Sequence, residues 1–341
     1  MPVSSDDLQA AKSTVRSFYE ALDAASPDGA EGALAAHMTD DARWRGMHPF
    51  DEQRGPEAVA EAFWAPLKRA MGPIQRRPDI FLAGENRGDA EDAPEGIWVV
   101  EMGHLAGNFT RDLLTIPATG RLQFLRYVEF HRVEGSRIVE TASFCDLLAF
   151  IRMAGLDPLP PQTGAALMPA PGPRTHDGLL HDAQDPAEGA ATHDLIQAMV
   201  NDLVGAGVGS SREHLERFWV PDMCWFGPAG IGASHRIDGY MKGHTGPFEA
   251  GLEFVRYDGH PASLGEGLYG GFFGYPSITM RPTGSFMGLP ASDRGGEMRI
   301  VDMYRREGDT LAENWIFIDM LHFCHTLGLD VLGRIGSLRA S

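Results

Sequence analysis

The sequence predicts an α+β fold made twice in one chain, each copy a curved antiparallel sheet folded against helices. Three observations predict it. Segments with helical spacing precede segments that alternate like strands. That order occurs twice in 341 residues, enough for about two domains of ordinary size. The ends of the two occurrences also match residue for residue: GSRIVETASFCDLLAFIRMAGLD superposes without a gap on GDTLAENWIFIDMLHFCHTLGLD at a shift of 173. Gly135 falls on Gly308, Glu140 on Glu313, Phe144 on Phe317, Asp146 on Asp319 and Gly155 on Gly328. A second block matches at a shift of 181, with Trp44 on Trp225, Gly46 on Gly227 and Pro66 on Pro247. A repeat of about 150 residues is a whole domain rather than a solenoid unit.

Taken in order, residues 7–25 have apolar positions at helical spacing, and a second helix is expected at 56–71. Strands follow in IWVVEMGHLAGNF, RLQFLRYVEFHRV and RIVETASFCDLL, the last two joined through VEGSR, a tight turn carrying Gly. Residues 159–189 are rich in Pro, Gly and Ala without sustained periodicity, and read as a linker packed along a surface. The second copy repeats the order, with helices at 191–204 and 236–250 and strands in TMRPTGSFMG, EMRIVDMYRRE and TLAENWIFIDML. The expected domains are therefore 1–158 and 190–341, with the linker between them.

Acidic residues outnumber basic ones 47 to 29, a formal charge of −18 that repels nucleic acid and anionic lipid surfaces. No apolar run is long enough to span a bilayer, and the N-terminus is acidic and amphipathic where a secretory signal is basic and then apolar. Cys145, Cys224 and Cys324 are widely spaced, each within an apolar segment, which reads as buried free thiols in a reducing compartment. These features predict a cytoplasmic protein, with no nucleic acid and no membrane, whose partner is a small neutral ligand, expected to be apolar or aromatic, or another protein.

The run G-x-x-x-x-E-x-W-x-x-x-D, an apolar helix and Leu-Gly, Gly308 to Gly328, resembles the carboxy-terminal signature of the SnoaL-like polyketide cyclases, or ester cyclases. Trp225 to Phe248 and Met47 to Leu67 are similar to the same family, which belongs to the nuclear-transport-factor-2-like (cystatin-like) superfamily. The resemblance implies a cone-shaped sheet closed by helices around an apolar pocket. It implies an aspartate on a late strand as general acid/base for an intramolecular aldol closure, without metal or cofactor. The matching positions are Asp319 and Asp146. The motif's Trp315 is replaced by Ala142 in the first copy. The superfamily also implies that the two copies pack as a pseudo-dimer, with further homo-oligomers in view.

Two readings of Asp319 stand side by side. Glu313, Trp315, Phe317 and Asp319 share one strand face, and if that face lines the pocket, desolvation raises the Asp319 pKa toward that of a working base. Alternatively Asp319 caps the helix that begins at Met320. His104 shares a face with Trp98, Val100 and Met102 and is expected to pair with Asp146. Matching Gly107 with Gly284 sets Arg281 at the His104 position of the second copy, where a guanidinium would hold Asp319 ionised. Trp44, His48 and Trp225 lie in loops expected at the cone mouths, and with Trp315, His244 and His322 they complete the expected substrate contacts. Asp319, His322 and His325, spaced by threes, fan around a helix instead of converging, so no metal site is expected. The leading expectation is a cofactor-independent cyclase or isomerase acting on a carbonyl compound. The alternatives are a small-molecule-binding or interaction protein without catalysis, and a hydrolase or dehydratase.

Overall fold

The computed structural model describes residues 3–166, 169–207, 209–284 and 286–340. The chain opens with a helix at Ser5–Ala24, where Ser4 and Asp7 form a capping box and Val15, Phe18, Tyr19 and Leu22 face inward. The first sheet consists of β1 (Met38–Gly46), β2 (Glu52–Arg54), β3 (Gln75–Glu85), β4 (Ile97–Asn108), β5 (Leu122–Glu134) and β6 (Arg137–Cys145). Its spatial order is β2-β1-β6-β5-β4-β3, antiparallel throughout except where β1 runs parallel to β6. A helical run over 55–71 closes one side, and a short helix, Leu147–Met153, ends the domain.

The second domain repeats this plan. Its leading helix is Pro186–Gly205, so the linker ends four residues earlier than composition suggests. The strands are β7 (Trp219–Phe226), β8 (Ser234–His235), β9 (Leu252–Tyr257), β10 (Ala262–Glu266), β11 (Tyr269–Pro282), β12 (Gly296–Glu307) and β13 (Thr310–Ile318), in the order β10-β11-β12-β13-β7-β8 with β9 also on β11. A helix at Met320–Thr326 follows β13. The expected strand at TMRPTGSFMG is mostly misplaced: β11 spans Tyr269–Pro282, and Phe286–Gly288 is a helical turn. The YGGFFGYPS stretch has glycines and a proline that depress the local strand signal, whereas two neighbouring strands fix it in the sheet.

Alternation along the strands gives each sheet two distinct faces. On β12 and β13, Asp302, Tyr304, Arg306 and Asn314 point to the cone, where Arg306 Nε donates to Thr192 Oγ1 on the leading helix at 2.8 Å. The opposite faces of the two sheets meet. There Phe273 is 5.4 Å from Trp98, 5.3 Å from Phe130 and 6.4 Å from Phe144, ring centre to ring centre. At one edge of this contact the buried Lys12–Glu266 pair, 2.7 Å apart, ties the domains, and Glu266 also accepts from Ala83 N–H at 2.8 Å. The linker runs along both domains. Leu180 N–H donates to Phe81 O on the β3 edge, and Ala165 N–H donates to Ala233 O beside β8, both at 2.8 Å.

Candidate functional site in the second cone

The second cone holds a carboxyl that motif reasoning passed over. Asp302 sits on β12 with little exposure, accepting from Asn314 Nδ2 at 2.8 Å and from the Tyr304 hydroxyl. Aromatic groups enclose this region. Tyr304 is 6.0 Å from both Trp219 and Phe272, and the buried Tyr240 packs on Trp225 at 5.6 Å. Among the described residues no cation lies within 4 Å of the Asp302 carboxyl. Burial raises its pKa to about 7, partly offset by the Asn314 and Tyr304 hydrogen bonds. His244 belongs to the same wall, stacked 4.2 Å from Trp225, with burial lowering its pKa to about 3. Of the expected substrate contacts, Trp225 and His244 are therefore brought together here.

The first cone answers the same geometry with a different solution. Carrying the 173-residue shift upstream places Glu129 on Asp302, His131 on Tyr304 and Thr141 on Asn314, and this was the available sequence signal. Glu129 is buried, and Arg76 fills the space before it. The guanidinium lies 3.9 Å over Tyr19, 2.9 Å from Asp23, 3.2 Å from Glu101 and 3.8 Å from Glu129. Tyr127 donates to Glu101, and the Tyr19 hydroxyl lies 2.8 Å from His131 Nε2. Burial raises the pKa of Glu101 and Glu129 against the pull of Arg76, and lowers that of His131 to about 3. This cone is plugged by a compensated ion cluster.

Asp319 and Asp146 occupy neither cone. The Trp315 face is turned to the other domain and the linker: Trp315 Nε1 donates to Pro171 O at 2.8 Å. Asp319 has the geometry of the cap, its carboxylate accepting from His322 N–H at 3.0 Å and, across the domain boundary, from His48 N–H at 2.7 Å. Burial lifts its pKa to about 6, against those two bonds and Arg299. Asp146 does the same in mirror fashion, accepting from Ala149 N–H and from Ala229 N–H of the second domain, both at 2.9 Å. Each aspartate thus caps its own helix and braces the partner domain's loop.

Other expected groupings are corrected. His104 Nδ1 pairs with Asp79 at 3.2 Å instead of Asp146, although His104 and Asp146 line one pocket. A register shift in β11 between Gly274 and Ile278 carries Arg281 away from Asp319, and it pairs with Glu253 at 2.6 Å near the surface. Trp44 is a core residue 5.6 Å from Phe63, not a mouth residue. His48 stacks on His325 at 4.5 Å, and His322 faces Glu297 at 3.3 Å with burial lowering its pKa to about 4. Among the described residues no group of His, Cys, Asp and Glu is gathered to hold a metal ion.

The fold is thus a pair of α+β cones with their outer sheet faces together and the buried Asp302 carboxyl in the second cone. Residues 15–141 match the sequence model of the SnoaL-like domain family. The second half repeats its strand order. No curated protein matches the chain. Among solved structures, a Jannaschia sp. CCS1 protein named for its likeness to SnoaL-like polyketide cyclases shares 22% identity, covering 45% of this chain and 94% of its own, with a TM-score of 0.33. A nuclear-transport-factor-2-like protein of Burkholderia thailandensis E264 shares 20% identity, covering 43% and 97%, with a TM-score of 0.30. No described helix is long and apolar enough to cross a membrane.

Proposed function

We propose that the protein is a cofactor-independent acid–base enzyme of polyketide-cyclase or isomerase type, working in the second cone on a small carbonyl compound. The observation that carries this reading is Asp302: a buried carboxyl among aromatic rings, bonded among the described residues by an amide and a phenol, with its pKa lifted to about 7. Such a group is ionised often enough to take a proton near neutral pH and basic enough to hold it. In the proposed cycle the Asp302 carboxylate removes a proton α to a carbonyl. The resulting enolate attacks a second carbonyl, or is reprotonated at another carbon, and the proton returns from Asp302 to the product. Asn314 and Tyr304 hold the carboxyl in place as positioning residues. The aromatic wall suits an apolar, partly aromatic substrate. The first cone takes no part, because Arg76 both fills it and compensates its carboxylates.

The test needs no known substrate. Cyclic ketones in deuterium oxide should exchange their α protons faster with the wild-type protein than with Asp302→Asn, read by proton NMR. Equal exchange with both proteins would remove the proposal and favour a binding protein without catalysis.

A further inference from the structure

The internal repeat supplies its own control for a second site. Both ends of the domain interface are built alike: a capping aspartate, an arginine on the preceding antiparallel strand, and the other domain's loop laid over them. At one end Arg299 lies 2.9 Å from Asp51, 3.6 Å from Asp319 and 4.1 Å over the Tyr275 ring. Its counterpart at a shift of 173 is Arg126. The loop residues that cover Arg299 are His48 and Asp51, and the 181-residue shift puts Ala229 and Gly232 in their places. The loops superpose in detail. Arg43 pairs with Arg54 as Cys224 pairs with His235, and both Asp51 and Gly232 have positive φ.

The second end has therefore lost the acid that neutralises its arginine. Arg126 is 6% exposed and lies 4.1 Å over the Phe317 ring. Its one described hydrogen bond runs from Nη2 to Phe226 O at 3.1 Å, and among the described residues no carboxylate oxygen lies within 4 Å. Burial lowers its pKa only to about 10, so it stays charged at neutral pH. Where His48 and Asp51 would sit there is instead a pocket open to solvent, lined by Ala229 and Gly232, with about 40 Å³ of cavity volume. His104 stands directly opposite Arg126 on β4, and among the described residues its buried Nε2 has no hydrogen-bond partner. Apolar surface from Phe124, Met153 and Ala170 completes the walls, the last contributed by the linker.

We infer that this interdomain pocket binds a small carboxylate with an apolar body, whose carboxylate replaces the missing Asp51 counterpart against Arg126. A buried guanidinium without an anion is costly, and a carboxylate matches its donor fork. The other groups facing the pocket leave the donor fork of Arg126 without a directly bonded carboxylate. Asp146, held by two backbone amides, and Asp79, paired with His104, favour its charged form through space but neither forms an ion pair with it within 4 Å, and Arg152 pairs with Asp157 at 3.0 Å. The net charge of −18 repels anions at long range, so selection falls to this one buried cation. The site is separate from the Asp302 cone and does not depend on the proposed chemistry there.

Calorimetry on the full chain with phenylacetate, isovalerate and their uncharged amides tests it. The carboxylates should bind at millimolar concentration or better, at least about tenfold more tightly than the amides, and Arg126→Gln should erase that preference. Arg299→Gln, the matched change at the other end, should leave it intact. If Arg126→Gln fails to fold, a crystal with 4-bromophenylacetate decides the matter on the wild-type protein, the bromine signal marking the ligand's position. Absence of carboxylate binding, equal binding of acid and amide, or bromine located away from Arg126 would each overturn the inference.

Discussion

Replacing Asp302 with asparagine keeps shape while removing the charge, the new amide oxygen accepting from Asn314 and the Tyr304 hydroxyl turning to accept from the new amide N–H. Its effect on stability follows from the burial of that carboxyl. The folded protein holds this proton up to about pH 7, whereas the unfolded chain releases it near 3.8. Between those values the folded state binds more protons than the unfolded state, so wild-type stability falls as pH rises through the window. At about 1.36 kcal/mol for each tenfold change in proton affinity, the full cost above pH 7 is about 4 kcal/mol. Asp302→Asn does not bear this cost. The variant should match the wild type near pH 4 and exceed it by up to about 4 kcal/mol at pH 8. Urea unfolding followed by tryptophan fluorescence, repeated across that range, measures the difference, and the other buried carboxyls cancel because both proteins carry them. A difference that stays flat with pH, or a variant weaker than wild type at pH 8, would refute the reasoning. Gain in stability with loss of α-proton exchange is the pattern expected of a working acid–base group.

Asp319→Asn also removes a buried charge, one whose pKa is raised to about 6, but it breaks a brace between the domains as well. One amide oxygen cannot serve both His48 N–H and His322 N–H, so denaturation should show a loss of about 1–3 kcal/mol, and a neutral effect would contradict the brace. Arg76→Met leaves Asp23, Glu101 and Glu129 without their cation, and a loss of about 3–5 kcal/mol is expected in the same assay. Residues 1–158 expressed alone expose the apolar face of Trp98, Phe130 and Phe144 that Phe273 covers, so light scattering should show self-association instead of a monomer. Native-state thiol labelling should reach the half-buried Cys224 before Cys145 and Cys324, which are buried and have their pKa raised by burial.

The repeat, the helix-then-strand order and the late aspartates were legible because each is a local or linear signal. Asp146 and Asp319 stand one residue before an apolar helix, which is where a cap must stand whatever the rest of the fold does. The shared Trp-x-Gly is equally local: a Cβ on Gly46 or Gly227 would meet the Trp44 or Trp225 ring at 2.1 Å, so only glycine fits. What the sequence left open was which face of β13 turns toward its cone. Strand alternation gives two faces and assigns neither, and the tertiary structure turned the Trp315 face outward against its neighbour.

That choice moved the candidate chemistry from Asp319 to Asp302, since a one-residue offset flips every side chain to the other side of a sheet. The plugged first cone is likewise a tertiary outcome, because Arg76, Asp23, Glu101 and Glu129 come from separate elements. The pocket at Arg126 depends on both levels. The loss of acid from Asp51 to Gly232 is written in the repeat, but only the packing of the domains shows that this position faces a buried arginine.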